Sequence, residues 1–389
     1  MKLGWKIFGA LLLGGLLAAA CATPEPVVQT VIVESEVEVP VEVEVTREVE
    51  VVVEPTPIGG ELFLYSCLFD PPEYGVLFEQ FKAQFGVTVT CLEMSSGESL
   101  ERIRAESENP QADVLFGNTN LAHVNLSSDG LTEAYKGAGW ESLPDGPVKD
   151  PDGGWTGLYY GVMGIGCSPD RLEEIGAPCP TSWAEMLDPI YEGEIVIASP
   201  AASGTSYTVL SGLVELMGED AAFDWWKEFD KNVAQYTSSG SQPGKLAAAG
   251  EFAIGISFAH DLQVQQQKGL PVILNFASEG MPFEVGGISI IKGAKNLAAA
   301  QAWMDWVLQP AFQRYHNDVY NRIPVLDEVE LQESSFGLDE VKLIDGYDPT
   351  AYAAERDQGS YSQPQKRVPG ECRSTTDSGQ RSRSAESPD

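Results

Sequence analysis

Residues 194–208 read EIVIASPAASGTSYT: a short β-branched apolar run, then a loop of serine, alanine, glycine and proline, then the start of an apolar-periodic segment. A run of four or five apolar residues bounded by turn formers reads as a buried strand, and the periodic stretch that follows, 207–217, reads as a helix. The same order recurs at 87–92, followed by Met94-Ser95-Ser96-Gly97-Glu98 and a helical run at 99–106, and at 113–116, followed by Gly117-Asn118-Thr119-Asn120. Further strand-like runs lie at 61–67, 252–258 and 287–291, and helix-like runs at 74–85, 221–229 and 298–308; Leu77, Phe78, Phe81 and Phe85 share one helical face. Strands alternating with helices predict an α/β architecture with mostly parallel sheets.

The loops carry the functional signal. Small hydroxyl and glycine residues collect where strands end and helices begin, which is where open α/β sheets bind ligands. Helix N-termini there present unpaired N–H groups and a partial positive charge, suited to anions. Any one such loop is equally an ordinary cap. Three of them, in both halves of the chain, point to a shared cleft formed by Ser95, Ser96, Thr119, Ser203, Gly204 and Thr205. A fourth cluster, from Gln235 to Gln242, contains Ser239 and precedes Lys245; it reads either as further hydroxyls and a cation or as a surface turn.

Composition bounds the rest. The chain has 389 residues and a formal net charge of −34, with 58 acidic against 24 basic side chains. Such a surface opposes a phosphate backbone, so nucleic acid is not an expected partner. No His spacing of a zinc site, no G-x-S-x-G, no P-loop and no dinucleotide fingerprint occurs, so neither enzyme chemistry nor a metal or cofactor is expected. His260-Asp261 is the one His–carboxylate pair, and Glu284 stands near a later strand.

At the N-terminus, Lys2 and Lys6, an apolar stretch and Ala18-Ala19-Ala20-Cys21 form a secretory signal too short to span a membrane. Residues 1–21 resemble the bacterial lipoprotein signal, with Ala18 where that signal favours Leu, which implies that Cys21 is lipidated and tethers an extracytoplasmic protein to the membrane. Residues 22–58 alternate Val with Glu, and nine carboxylates against Arg47 favour an extended solvated stalk over a hairpin or coiled assembly. Residues 357–389 are too polar to form a core and are expected to be disordered. Cys67 with Cys91, at the ends of neighbouring strands, and Cys167 with Cys179, around a short excursion, are candidate disulfides in an oxidising compartment.

From Trp155 onward the motifs WTGLYYGVMGIGCSPDRL, PTSWAEMLDPIYEGEIVIASPAASGTSYT, AGEFAIGISFAHD and FEVGGISIIKGAKNLAAAQAWMDW resemble bacterial extracellular solute-binding proteins of ABC importers, in the branch that includes ferric-iron, phosphonate and hexose-phosphate receptors. The resemblance implies the two-lobed type II periplasmic-binding-protein fold: lobe 1 from 59–158 plus 287–350, lobe 2 from 159–286, with crossings near 158–161 and 283–287. It implies a monomer that delivers a small solute to an ABC permease. Ferric receptors carry adjacent tyrosines on the segment after the strand at 254–258, and here that segment reads Ala259-His260-Asp261. His260, Asp261 and Glu284 instead resemble the residues with which hexose-phosphate receptors hold sugar hydroxyls, and the serine loops resemble their phosphate-binding positions. Trp155 and Tyr159 are candidates for packing, on the core or on a sugar face. A ferric or polyamine receptor, and an extracytoplasmic phosphate-ester hydrolase, are the alternatives.

Overall fold

Alternating apolar runs and polar loops build alternating strands and helices in the computed structural model, which describes residues 27–31, 49–53, 57–67 and 73–357. The signal segment with Cys21, most of the Val/Glu strip and the tail from residue 358, with Cys372, lie outside the described residues. Residues 1–57 and 58–389 are separate units.

In the first unit, β1 (Val27–Val31) pairs antiparallel with β2 (Val49–Val53). These ten residues are thus a ladder rather than the unpaired stalk expected from charge repulsion. The reason is local: the paired segments are the valine-rich ends of the strip and contain only one carboxylate, Glu50.

The second unit opens with β3 (Glu61–Tyr65), α1 (Glu73–Phe85), β4 (Thr88–Leu92), α2 (Ser96–Ala105), β5 (Val114–Thr119) and α3 (Asn120–Ser128), with β4, β3 and β5 parallel. After the short β6 (Thr132–Glu133) comes β7 (Thr156–Cys167), twelve residues long and buried almost throughout. Then follow α4 (Pro169–Ile175), β8 (Ile195–Ala198), α5 (Gly204–Met217), α6 (Glu219–Phe229), β9 (Val233–Thr237), α7 (Gln242–Ala248), β10 (Ile254–Phe258), α8 (Ala259–Gln267) and β11 (Ile273–Asn275). The chain returns through β12 (Phe283–Ile291) and ends with α9 (Leu297–Val307), α10 (Pro310–Tyr320), β13 (Ile323–Pro324) and α11 (Pro349–Asp357).

The strand order is β4-β3-β5-β12-β7-β10-β8-β9. The outer strands are parallel, as the βα alternation requires, whereas β12 and β7 run antiparallel to their neighbours, so the sheet is mixed. The two stretches expected to cross between lobes pair directly: Phe283 faces Val162 and Gly286 faces Tyr159. The second half of β7 pairs with β10 and β11 instead.

Two main hydrophobic cores flank this junction. One gathers Leu62, Phe81, Phe116, Ile290 and Trp303, with Trp303 edge-on to Phe81 and Phe116. The other gathers Met163, Trp183, Ile195, Trp226, Phe229 and Ile256. Leu77 and Phe81 of α1 are fully buried, and Phe78 and Phe85 pack beside them. Trp155 lies in a smaller cluster with Leu143, Val148 and Val285, a packing role. Among the described residues no helix is long and apolar enough to cross a membrane.

Both candidate disulfides form, Cys67–Cys91 with Cα atoms 5.8 Å apart and Cys167–Cys179 with 5.9 Å. The parallel pairing of β3 with β4, Leu64 opposite Cys91, brings the first pair together. Removing either bridge by a Cys→Ser pair frees a closed loop in the unfolded chain and should cost about 3 kcal/mol in urea denaturation; loss of well under 1 kcal/mol from both would show that neither constrains the fold.

Candidate functional site

One cavity of about 320 Å³ collects the polar strand ends. Of the ten binding residues expected from the sequence, nine line it: Ser95, Ser96, Thr119, Ser203, Thr205, Ser239, His260, Asp261 and Glu284. Gly204 does not line it but makes the wall possible, since a Cβ there would collide with Thr119 Oγ1 and come within 2.9 Å of Ser96 Oγ. Lys245 is not among the lining residues.

The hydroxyl end is built from helix starts. Ser95 caps α2 and forms a reciprocal capping box with Glu98. Thr119 and Ser203 precede α3 and α5, yet neither side chain caps its helix. The ordinary explanation for such residues therefore holds at Ser95 and fails at the other two. Thr119 Oγ1 lies 3.3 Å from Ser96 Oγ, and Ser239 Oγ lies 3.2 Å from Ser241 Oγ. The N-terminal N–H groups of α2, α3 and α5 thus meet beside a cluster of hydroxyls, a combination that favours an anion. The loops also touch, for a Cβ on Gly97 would lie 2.9 Å from the Ala202 carbonyl oxygen.

The other end is chemically different. Tyr159, from β7, donates its hydroxyl to Glu284 Oε1 at 3.4 Å, and Glu284 Oε2 has no hydrogen-bond partner among the described residues. The His260 ring stacks on Phe258 and meets Tyr159 edge-on. Arg322 places its guanidinium 4.2 Å from the Tyr159 ring centroid. Asp261 links the two ends: Ser257 Oγ lies 2.8 Å from the Gly240 carbonyl and 3.2 Å from Asp261 Oδ2.

Burial sets the protonation here. Glu284 is 1% exposed, and desolvation pushes its carboxyl up to about 8 although Arg322 works against the shift, so at neutral pH it is largely an uncharged donor and acceptor. Desolvation also holds the Tyr159 phenol protonated and drives His260 and His316 well below the usual histidine range, with Arg322 adding to the effect on both imidazoles. His260 is therefore neutral, and its 3.8 Å approach to Asp261 is not an ion pair. Among the described residues no group of three His, Cys, Asp or Glu side chains is placed to hold a metal ion.

Arg322, Ser66 and Asn118 also line the cavity and were not expected from the sequence. Ser66 and Asn118 hold φ of 61° and 68°, and Asn321, the residue before Arg322, holds 54°; these are the three non-glycine residues with positive φ among those described. Such conformations cost energy and concentrate at functional sites. The available signal for Arg322 is a lone arginine between Tyr320 and the apolar Ile323-Pro324-Val325.

Residues 109–336 match the family model for bacterial extracellular solute-binding protein. A Haemophilus influenzae relative, named as an uncharacterized protein, is 35% identical over 280 residues, 70% of this chain and 81% of its own. A probable ABC transporter periplasmic-binding protein of Sinorhizobium fredii is 28% identical over 261 residues, 64% of this chain and 70% of its own. The structure of the periplasmic binding protein AfuA from Actinobacillus pleuropneumoniae, with exogenous fructose-6-phosphate bound, is similar with a TM-score of 0.73 and 32% identity over 77% of this chain and 96% of that one.

Glu284 also leaves a thermodynamic signature. Its folded pKa lies above the unfolded value, so the folded state holds the extra proton and its contribution to stability falls as pH rises from about 4.5 through about 8. Glu284→Gln removes that loss. Its stability relative to the parent should climb between pH 5 and 8 by up to about 1.4 kcal/mol per pH unit in urea denaturation; a flat difference would place a charged Glu284 in the folded protein.

Proposed function

The chain belongs to the bacterial extracellular solute-binding proteins, the non-enzymatic substrate-binding components of ABC transporters, and we propose that its solute is a phosphorylated small organic molecule, a sugar phosphate or a phosphonate. The observation that carries this reading is the division of the cavity. Hydroxyls and helix N-termini, with Glu93 and Glu98 also in the lining, fill one end, and a neutral carboxyl, a neutral imidazole, Asp261 and a guanidinium fill the other. Serine hydroxyls and helix N–H groups donate to a phosphoryl group, while carboxyl and imidazole groups exchange hydrogen bonds with hydroxyls. The similarity to a protein whose structure holds fructose-6-phosphate supports the same assignment.

Ser95, Ser96, Ser203, Gly204 and Thr205 hold the phosphoryl group in this reading, with Thr119 and Ser239 beside them; His260, Asp261 and Glu284 read the rest of the molecule. Micromolar affinity needs about 8 kcal/mol. Four to six charge-assisted hydrogen bonds at about 1.5–3 kcal/mol each are enough to leave that after the costs of closure and desolvation. Capture proceeds by closing residues 159–286 against 59–158 and 287–350 about the paired β7 and β12, and the loaded protein then presents the solute to an ABC permease. Lipidation of Cys21 tethers the receptor outside the membrane, with the strip at 22–58 as the spacer.

Gly204→Val should abolish tight binding of fructose 6-phosphate, because the added carbons occupy the place of Thr119 and Ser96 and hold the walls apart; calorimetry on the folded variant with parental affinity would show that these walls need not meet. Asp261→Ala should weaken the same ligand at least tenfold, and unchanged affinity would remove Asp261 from the site. Mass spectrometry of small molecules released on denaturing gently purified protein tests the class itself: a phosphorylated compound is expected. Fe(III) or a polyamine in its place would overturn the assignment.

A further inference from the structure

Arg322 is the one lysine or arginine among the described residues that line the cavity, and it is 5% exposed. Its position is set by backbone and amides. Helix α10 stops at Tyr320, Asn321 turns the chain through its left-handed conformation, and β13 then pairs with β7, so that Ile323 faces Tyr160 and Pro324 faces Tyr159. The carbonyl of Arg322 accepts a hydrogen bond from Asn317 Nδ2 at 3.0 Å. Asn317 is itself fully buried and held by Gln332, whose backbone N–H donates to Asn317 Oδ1 at 2.8 Å and whose side chain donates to the Asn317 carbonyl at 2.6 Å. Gln332 and Gln267 both donate to Asn321 Oδ1, at 2.8 and 3.2 Å, which ties this turn to the end of α8, the helix that begins with Ala259, His260 and Asp261.

A guanidinium held this way is a permanent charge, since arginine does not lose its proton in proteins. It lies over the Tyr159 ring, the aromatic face that a ligand cation would otherwise use. An ammonium entering this end would meet a fixed like charge at short range in a desolvated pocket. A hydroxyl or carbonyl oxygen would instead accept from the guanidinium, and a hydroxyl would find Glu284 as a second partner.

We propose that Arg322 is a specificity-determining residue that makes the Glu284 end of the cavity accept oxygen functions and reject ammonium groups, with Asn317 as its positioning residue. Resting on the phosphorylated-solute reading, this narrows the solute to a hydroxyl- or carbonyl-bearing phosphate and excludes aminoalkylphosphonates and polyamines.

Calorimetry on the intact protein with fructose 6-phosphate, 2-aminoethylphosphonate and spermidine tests it. The parent should prefer fructose 6-phosphate to 2-aminoethylphosphonate by at least a hundredfold and show no spermidine binding. Arg322→Gln should cut that preference at least tenfold, Arg322→Lys should keep most of it, and Asn317→Ala should reduce it in the same direction as Arg322→Gln. Comparable parental affinity for the two phosphorus compounds overturns the inference while leaving the phosphorylated-solute reading in place. So does an unchanged preference in folded Arg322→Gln. Parental protein that binds neither phosphorus compound overturns both. Should Arg322→Gln fail to fold, Asn317→Ala decides in its place, and an unchanged preference in that variant overturns the proposal.

Discussion

Twelve residues of β7 run from the neighbourhood of one hydrophobic core into the other, and the antiparallel pairing of their first half with β12 keeps the two sides in register. The polar groups around Glu284 take their places from β7 and from the strands paired with it. Tyr159 comes from β7 and Glu284 from β12, one residue before Val285, which faces Tyr160. β10, paired with the second half of β7, delivers His260 and Asp261 at the start of α8; β13, paired with the first half, follows Arg322 directly. The pairing is tight enough that a Cβ on Gly286 would overlap the Tyr159 ring, so the crossover admits the tyrosine only because this position has no side chain.

The hydroxyl end rests on a different constraint, the local logic of strand–loop–helix units. Each unit ends a parallel strand at the same edge of its sheet and starts a helix there, so its small polar loop has one place to go. Units from both sides of β7 and β12 bring their loops to one cavity. The contrast between the ends is therefore partly topological: loops of parallel units make one, while the other combines the antiparallel crossing of β7 and β12 with the start of α8 and the turn before β13.

That distinction explains what can be read from the sequence and what cannot. The strands at 195–198 and 88–92 are short β-branched runs, and the serine loops that follow them stand out against a chain rich in acidic residues. A local signal suffices for them, and six of the seven residues it nominates line the cavity. The His260–Asp261 pair and Glu284 are legible through family resemblance. Arg322 is not, because its one local mark, a lone arginine before an apolar run, does not say where it goes: its approach depends on where α10 ends, on the left-handed turn at Asn321 and on the pairing of β13 with β7, all of them long-range consequences of packing. The valine-rich ends of the Val/Glu strip err in the opposite sense. Averaging the strip's charge predicts an unpaired chain, while the ladder forms where the carboxylates are sparse.

A buried guanidinium inside a chain of net charge −34 divides selection between approach and arrival. The long-range field of such a surface gathers cations and slows anions, and salt screens it within about 10 Å at 0.1 M ionic strength. The encounter rate of an anionic solute with this protein thus rises as salt is added, contrary to ordinary electrostatic steering, while its residence time is governed by short-range contacts that salt hardly reaches. For a solute of the proposed phosphorylated class, the receptor would give up association speed and select through the dissociation rate, at Arg322, the one basic side chain among the described residues lining the cavity.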